Sequence, residues 1–361
     1  MEKELFALLR LGLGNTTIEE ENLSNLIIQS KEWARIGELA QKHGVLGIAL
    51  DGIGLLESTP FGPTRELSKQ QKLEWIGEVF AIEQANQHQL AVMVEMAGIW
   101  SEQGCRVMVM KGQANGVMYP KPNHRSPGDI DCHLFDDYAK GNEIARQIGA
   151  VVDESWYKHS VISYKGETFE NHQFFVHTRD GKRGKRLEKE LEDALLVQDS
   201  SFTFHGNVMY PLVQWNAMFL TYHACAHFVS EGLRLKQILD WAMFLKVHQD
   251  DVDWEAFYGF CERNHLRRFA DAMTTISVEY LGVKIFSNSI TVKSPYAEKI
   301  LRSALYDDDY VFGSGNSEWK NRFHLVGNLF HYRWKYKDIY DESIFKQLWY
   351  YVTGFLFKTE K

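Results

Sequence analysis

The sequence predicts an α+β protein, with a small mixed β-sheet enclosed by N-terminal and C-terminal helices. Three observations lead there. Apolar residues recur at three- and four-residue spacing through about the first 100 residues. The pattern then shortens to strand-length apolar runs punctuated by glycine, and helical spacing returns from about residue 187. With 361 residues, 45% hydrophobic and 13% aromatic, the chain can bury two or three packed subdomains and does not read as disordered.

The elements follow in order. Leu5, Leu8 and Leu9, then Leu23, Leu26 and Ile27, then Trp33, Ile36, Leu39 and Ala40 mark amphipathic helices, with a stop at His43-Gly44. After a break between Pro60 and Pro63, residues 67 to about 103 form a long helical tract ending at Gly104. Val107-Met108-Val109-Met110 is a strand, and Lys111-Gly112 turns it into a short helix stopped by Tyr119-Pro120-Lys121-Pro122. Residues 129–135 form the next strand and 138–148 a helix. The runs 160–164 and 168–176 flank Lys165-Gly166 as a hairpin. Lys182 to Arg186 reads as a solvated basic turn, and residues 212 to about 248 as one long central helix. Aromatic-rich helices carrying Trp319, Phe323, Phe330, Trp334, Trp349 and Phe355 close the chain. Three regions result: helical 1–103, a sheet-bearing core 104–186, and helical 187–361.

Composition narrows the function. A net charge of -8 gives no general attraction for nucleic acid, and the basic turn has no interleaved stacking aromatics. Cys105, Cys132, Cys225 and Cys261 have no C-x-x-C spacing and read as reduced thiols. No 18-residue apolar stretch and no basic-then-apolar N-terminus occur, so a cytoplasmic protein without membrane spans or signal peptide is expected.

Gly128-Asp129-Ile130-Asp131 carries the chemistry. On a strand, the period of two puts both aspartates on one face and turns Ile130 to the core. Carboxylates held that close repel unless a divalent cation sits between them, and Mg²⁺ favours hard oxygens while keeping waters and substrate phosphates.

Val109-Met110-Lys111-Gly112, Tyr119-Pro120, Arg125 and Gly128-Asp129-Ile130-Asp131 together resemble the uncharacterised bacterial nucleotidyltransferases of the polymerase-beta-like superfamily. Glu170-Asn171-His172, His223, His227, Leu233-Arg234 and Leu239-Asp240-Trp241 extend the resemblance in order over roughly residues 30 to 250. It implies a nucleotidyltransferase core in which Gly112 makes the close backbone turn beside the phosphates. Asp129 and Asp131 are then metal ligands for Mg²⁺ or Mn²⁺, and Glu170 a third carboxylate, as ligand or base, on an adjacent strand. Gln113 replaces the superfamily's usual second glycine or serine, and the gap from Gly112 to the aspartates is longer than is common.

Lys111 and Arg125 either neutralise triphosphate charge or pair with Asp129 or Asp131. His124 is a loop residue. His223, His227 and Glu231 share one helix face, where the histidines either hydrogen-bond neighbours or hold a metal. Arg234 and Lys236 follow them, and Arg234 is the one expected to line the site, buried against an acid in the empty protein. His172 shares the strand face of Glu170.

These readings lead to metal-dependent transfer of a nucleoside monophosphate from an NTP to a hydroxyl on a small molecule or protein. The alternatives are a nucleotide-binding or regulatory protein that keeps the fold without turnover, motivated by Gln113 and the long gap, and a structural partner built on the C-terminal helices.

Overall fold

The computed structural model describes residues 2–17, 30–57, 67–178, 181–196, 203–307 and 330–345. Leu23, Leu26, Ile27, the break at Pro60 to Pro63, Trp319, Phe323, Trp349 and Phe355 lie outside the described residues.

The N-terminal region is helical: α1 (Glu2–Gly12), α2 (Ser30–Lys42), α3 (Leu46–Glu57) and α4 (Lys69–Glu102). α4 begins at Ser68, whose hydroxyl accepts from the Gln71 amide in a capping box. At 34 residues it is about 50 Å long and spans the back of the sheet.

The middle of the chain supplies β1 (Val107–Val109), α5 (Gln113–Gly116), β2 (Ile130–His133), α6 (Tyr138–Gln147), β3 (Val151–Asp153), β4 (His159–Tyr164), β5 (Glu167–His172) and α7 (Lys182–Leu196). The hairpin β6 (Thr203–His205) and β7 (Val208–Tyr210) follows. Helices follow: α8 (Val213–Ser230), α9 (Leu235–His248), α10 (Trp254–Arg263), α11 (Arg267–Glu279) and α12 (Ala297–Tyr306), with a π-helical turn at Lys335–Ile339. The fold is α+β. No helix among the described residues is long and apolar enough to cross a membrane, and all four cysteines are buried and free.

Seven strands form one mixed sheet in the order β3-β4-β5-β2-β1-β7-β6. The β2/β5 and β1/β7 pairs are parallel and the rest antiparallel. Strand alternation sorts side chains between two cores. Val107, Val109, Ile130, Cys132, Ile162 and Phe169 face Met93, Met96 and Trp100 of α4 and Ile144 of α6. Met108 and Met110 face the other way, into the larger core that holds the N-terminal helices and α8 to α12. Asp131, Glu170 and His172 point to that second side.

Four expectations are corrected. The stretch read as one helix from 212 to 248 is two, broken at residues 231–234, where Gly232 takes φ 107°, a conformation that L side chains rarely adopt. The helical reading of 187–361 missed β6 and β7, because three-residue strands are too short to show a period; β3 escaped for the same reason. Lys182 to Arg186 opens α7 instead of a solvated turn. Arg183 stacks on the Tyr340 ring at 3.6 Å, and Arg186 Nε donates to Asn264 Oδ1 at 3.3 Å. The strand expected from residue 129 starts at Ile130, leaving Asp129 just before it.

Candidate active site

The site forms where β1 ends and β2 begins, beside β5 and against α8 and α9. Met110 N donates to Asp131 O at 2.9 Å, so the end of β1 is tied to β2. The chain then turns at Gly112, whose φ of 68° and ψ of -110° would strain any residue with a Cβ. Gln113, the departure from a second small residue, is an anchor: its Nε2 donates to Asn86 Oδ1 at 3.0 Å and Gln89 Oε1 at 3.1 Å. From α4, Asn86 Nδ2 donates to the carbonyls of Asn123 and Arg125, and Gln89 Nε2 to that of Gly128 at 2.6 Å. One run of side-chain amides therefore holds both the Gly112 turn and the loop that delivers Asp129.

Asp131 is 1% exposed and stands directly beside Glu170 in the parallel β2/β5 register. Lys111 Nζ lies 3.0 Å from Asp131 Oδ2, and His172 Nε2 lies 3.1 Å from Asp131 Oδ1 and 3.3 Å from Glu170 Oε2. Burial alone would raise the Asp131 pKa; Lys111 and His172 outweigh it and hold the carboxyl well below the usual range. Asp129 goes the other way. Burial and the charges of Glu170 and Asp131 push it up, against the pull of Lys111 and Lys236. Three carboxylates thus meet at one place with incomplete compensation. His159 lies opposite His172 in the β4/β5 pair, its Nε2 3.7 Å from Glu170 Oε1.

α8 closes the top. His227 Nε2 is 3.2 Å from His223 Nε2, and His227 Nδ1 is 3.0 Å from Glu231 Oε2. Burial, with Lys111 and His227 nearby, pushes His223 well below its ordinary pKa, so it is neutral at pH 7.

The expected cations separate. Lys111 sits in the site against Asp131. Arg125 touches neither Asp129 nor Asp131: its Nε donates to Asp240 Oδ1 at 2.8 Å and its Nη2 to Oδ2 at 2.7 Å. Tyr119 Oη and Asn115 Nδ2 also donate to Asp240, at 2.8 and 3.1 Å, so this buried carboxylate of α9 ties together the loop around the site. Arg234 is exposed at the start of α9, contrary to the expected buried position, because the helix break turns it outward.

The cation turned inward is Lys236. A Cβ on Gly128 would come within 3.5 Å of its Nζ, next to Asp129. Burial and Arg125 pull its pKa down to about 8. Lys158, just before β4, is also pulled down by burial while feeling Asp131 and Glu170. Sequence reasoning set Lys236 aside in favour of Arg234, and Lys158 and His159 carried no signal beyond preceding the hairpin. His124, expected in a loop, ends a 3-10 turn over Pro122–His124 and is clamped between Asp51 at 2.8 Å and Glu83 at 2.9 Å.

A family model for an uncharacterised nucleotidyltransferase matches residues 29–282 of the 361. The chain belongs to that family. The matched span includes the candidate-site residues from Lys111 to Asp240. No curated protein and no solved structure matches the chain.

Proposed function

We propose that the protein transfers a nucleoside monophosphate from an NTP to a hydroxyl acceptor, a small molecule or a protein, with Mg²⁺ or Mn²⁺ as cofactor. The observation that supports this reading is the convergence of Asp129, Asp131 and Glu170 beneath three lysines. The crowded carboxylates, with Asp129 raised by burial and by the charges of Glu170 and Asp131, fit a hard divalent ion. Asp129 and Asp131 would be its ligands, with Glu170 as the third carboxylate. The ion would supply charge neutralisation on the phosphates and orient the reacting oxygens.

The remaining work belongs to the chain. Lys111, Lys236 and Lys158 would face the triphosphate, and the backbone at Gly112 would lie beside it. Arg125 would act indirectly, by holding the loop before Asp129 to Asp240. In the reaction the acceptor oxygen bonds to the α-phosphorus, the bond to the β-phosphate oxygen breaks, and pyrophosphate leaves. Glu170, more exposed than Asp131, would be either a ligand or the base that takes the acceptor proton.

Calorimetric titration of ATP with and without Mg²⁺ tests the reading. Mg²⁺-dependent binding that Asp129→Asn abolishes, followed by pyrophosphate release on adding acceptors, is the expected result. Binding without release across a broad acceptor set would favour the nucleotide-binding alternative, and the absence of Mg²⁺-dependent binding would overturn both.

A further inference from the structure

We propose that His159, Glu170 and His172 form a binding site for a zinc-class transition-metal ion, beside and distinct from the aspartate pair. Among the described residues, these three offer ligand atoms that all lie within 4.8 Å of one another. A tetrahedral site with metal–ligand distances of about 2.0–2.2 Å places ligand atoms about 3.4 Å apart. Glu170 Oε2 is 3.3 Å from His172 Nε2, and Glu170 Oε1 is 3.7 Å from His159 Nε2. Small side-chain rotations bring the three together, and a water would take the fourth position.

Two further observations point to an ion. His172 Nδ1 lies 3.2 Å from the Phe174 carbonyl oxygen, which can only accept, so the hydrogen belongs on Nδ1. Nε2 then faces two carboxylate oxygens at 3.1 and 3.3 Å, a position that a second proton fills in the empty protein and a metal ion would fill in the loaded one. A carbonyl on the far ring nitrogen is how metal-ligating histidines are oriented. His159 presents Nε2 to Glu170 Oε1, and its Nδ1 is buried with no hydrogen-bond partner, so no protein group there competes for the ring. Two imidazoles and a carboxylate suit zinc and its neighbours in the first transition row, whereas Mg²⁺ prefers an all-oxygen shell.

The test is independent of nucleotide. Protein stripped with chelator is titrated with Co²⁺ while the visible absorption of four-coordinate cobalt is followed, and Zn²⁺ is then added in competition. Stoichiometric binding is expected, displaced by Zn²⁺ and not by millimolar Mg²⁺. His159→Ala should weaken Co²⁺ by at least about tenfold, a loss that even an outer-shell partner can cause, and should bleach the visible bands. Glu170→Gln should do the same if His159→Ala fails to fold. Mg²⁺-dependent ATP binding should survive in His159→Ala, so failure here is distinguishable from failure of the transferase reading. Absence of Co²⁺ and Zn²⁺ binding would overturn the proposal, and so would cobalt bands that vanish in His227→Ala but persist in both ligand variants.

Discussion

Lys236→Met should make the empty protein more stable and a poorer nucleotide binder. Lys236 is half-buried, has no ion-pair partner among the described residues, and has its pKa pulled down to about 8 from the ordinary 10.5 by burial and Arg125. A lysine with a lowered folded pKa costs stability at every pH below about 8, and the cost fades as pH rises from about 8 to 10.5. The full gap corresponds to a ceiling of roughly 3 kcal/mol, and residual solvent contact reduces the expected gain at pH 7 to about 1–2 kcal/mol. Urea unfolding measures that directly, and a melting temperature should rise by about 2–4 °C per kcal/mol. A triphosphate that supplies the missing anion loses a charged hydrogen bond in the variant, worth about 1.5–3 kcal/mol, or roughly 10- to 150-fold in Kd. Calorimetry should also show wild-type ATP affinity falling as pH rises through about 8, with that step absent in Lys236→Met. A variant that melts lower than wild type and binds ATP equally well would refute the reasoning, making Lys236 ordinary scaffold.

The two aspartates should respond oppositely to amidation. Asp131→Asn leaves Lys111 without its counter-charge and should lower stability to urea by about 3 kcal/mol. Asp129→Asn removes a carboxylate that its neighbours repel and should leave stability unchanged or slightly higher while abolishing Mg²⁺-dependent binding. Gly112→Ala should cost about 1–3 kcal/mol, because Ala must adopt a φ of 68°; an unchanged melting temperature would show that the turn relaxes. Arg125→Met buries Asp240 without its guanidinium and should cost about 3–5 kcal/mol, most of it recovered in Arg125→Met/Asp240→Leu, as denaturant unfolding of the four-member cycle would show.

Much of this protein was legible in the chain because local patterns determine local structure. The α4 helix follows from the long helical tract between the break at Pro60 to Pro63 and the stop at Gly104. The β4/β5 hairpin follows from Lys165-Gly166, which take φ of 49° and 84°. Period two placed Ile130 in the core and Asp131 opposite it, and the K-G to D-I-D block indicated a family whose model matches residues 29–282. Tertiary structure alone decided which charges meet. Nothing local marks Asp240 as the partner of Arg125, 115 residues earlier, or says that Lys236 turns inward while Arg234 turns out. That choice depends on where Gly232 breaks the helix, since Arg234 is then the extended residue before α9 and Lys236 lies in its first turn. The same holds for His159: only the β4/β5 register brings it across from His172 and beside Glu170. Helices and turns are specified by neighbours within a few positions, whereas a site assembled from four strands and two helices depends on packing over the whole chain.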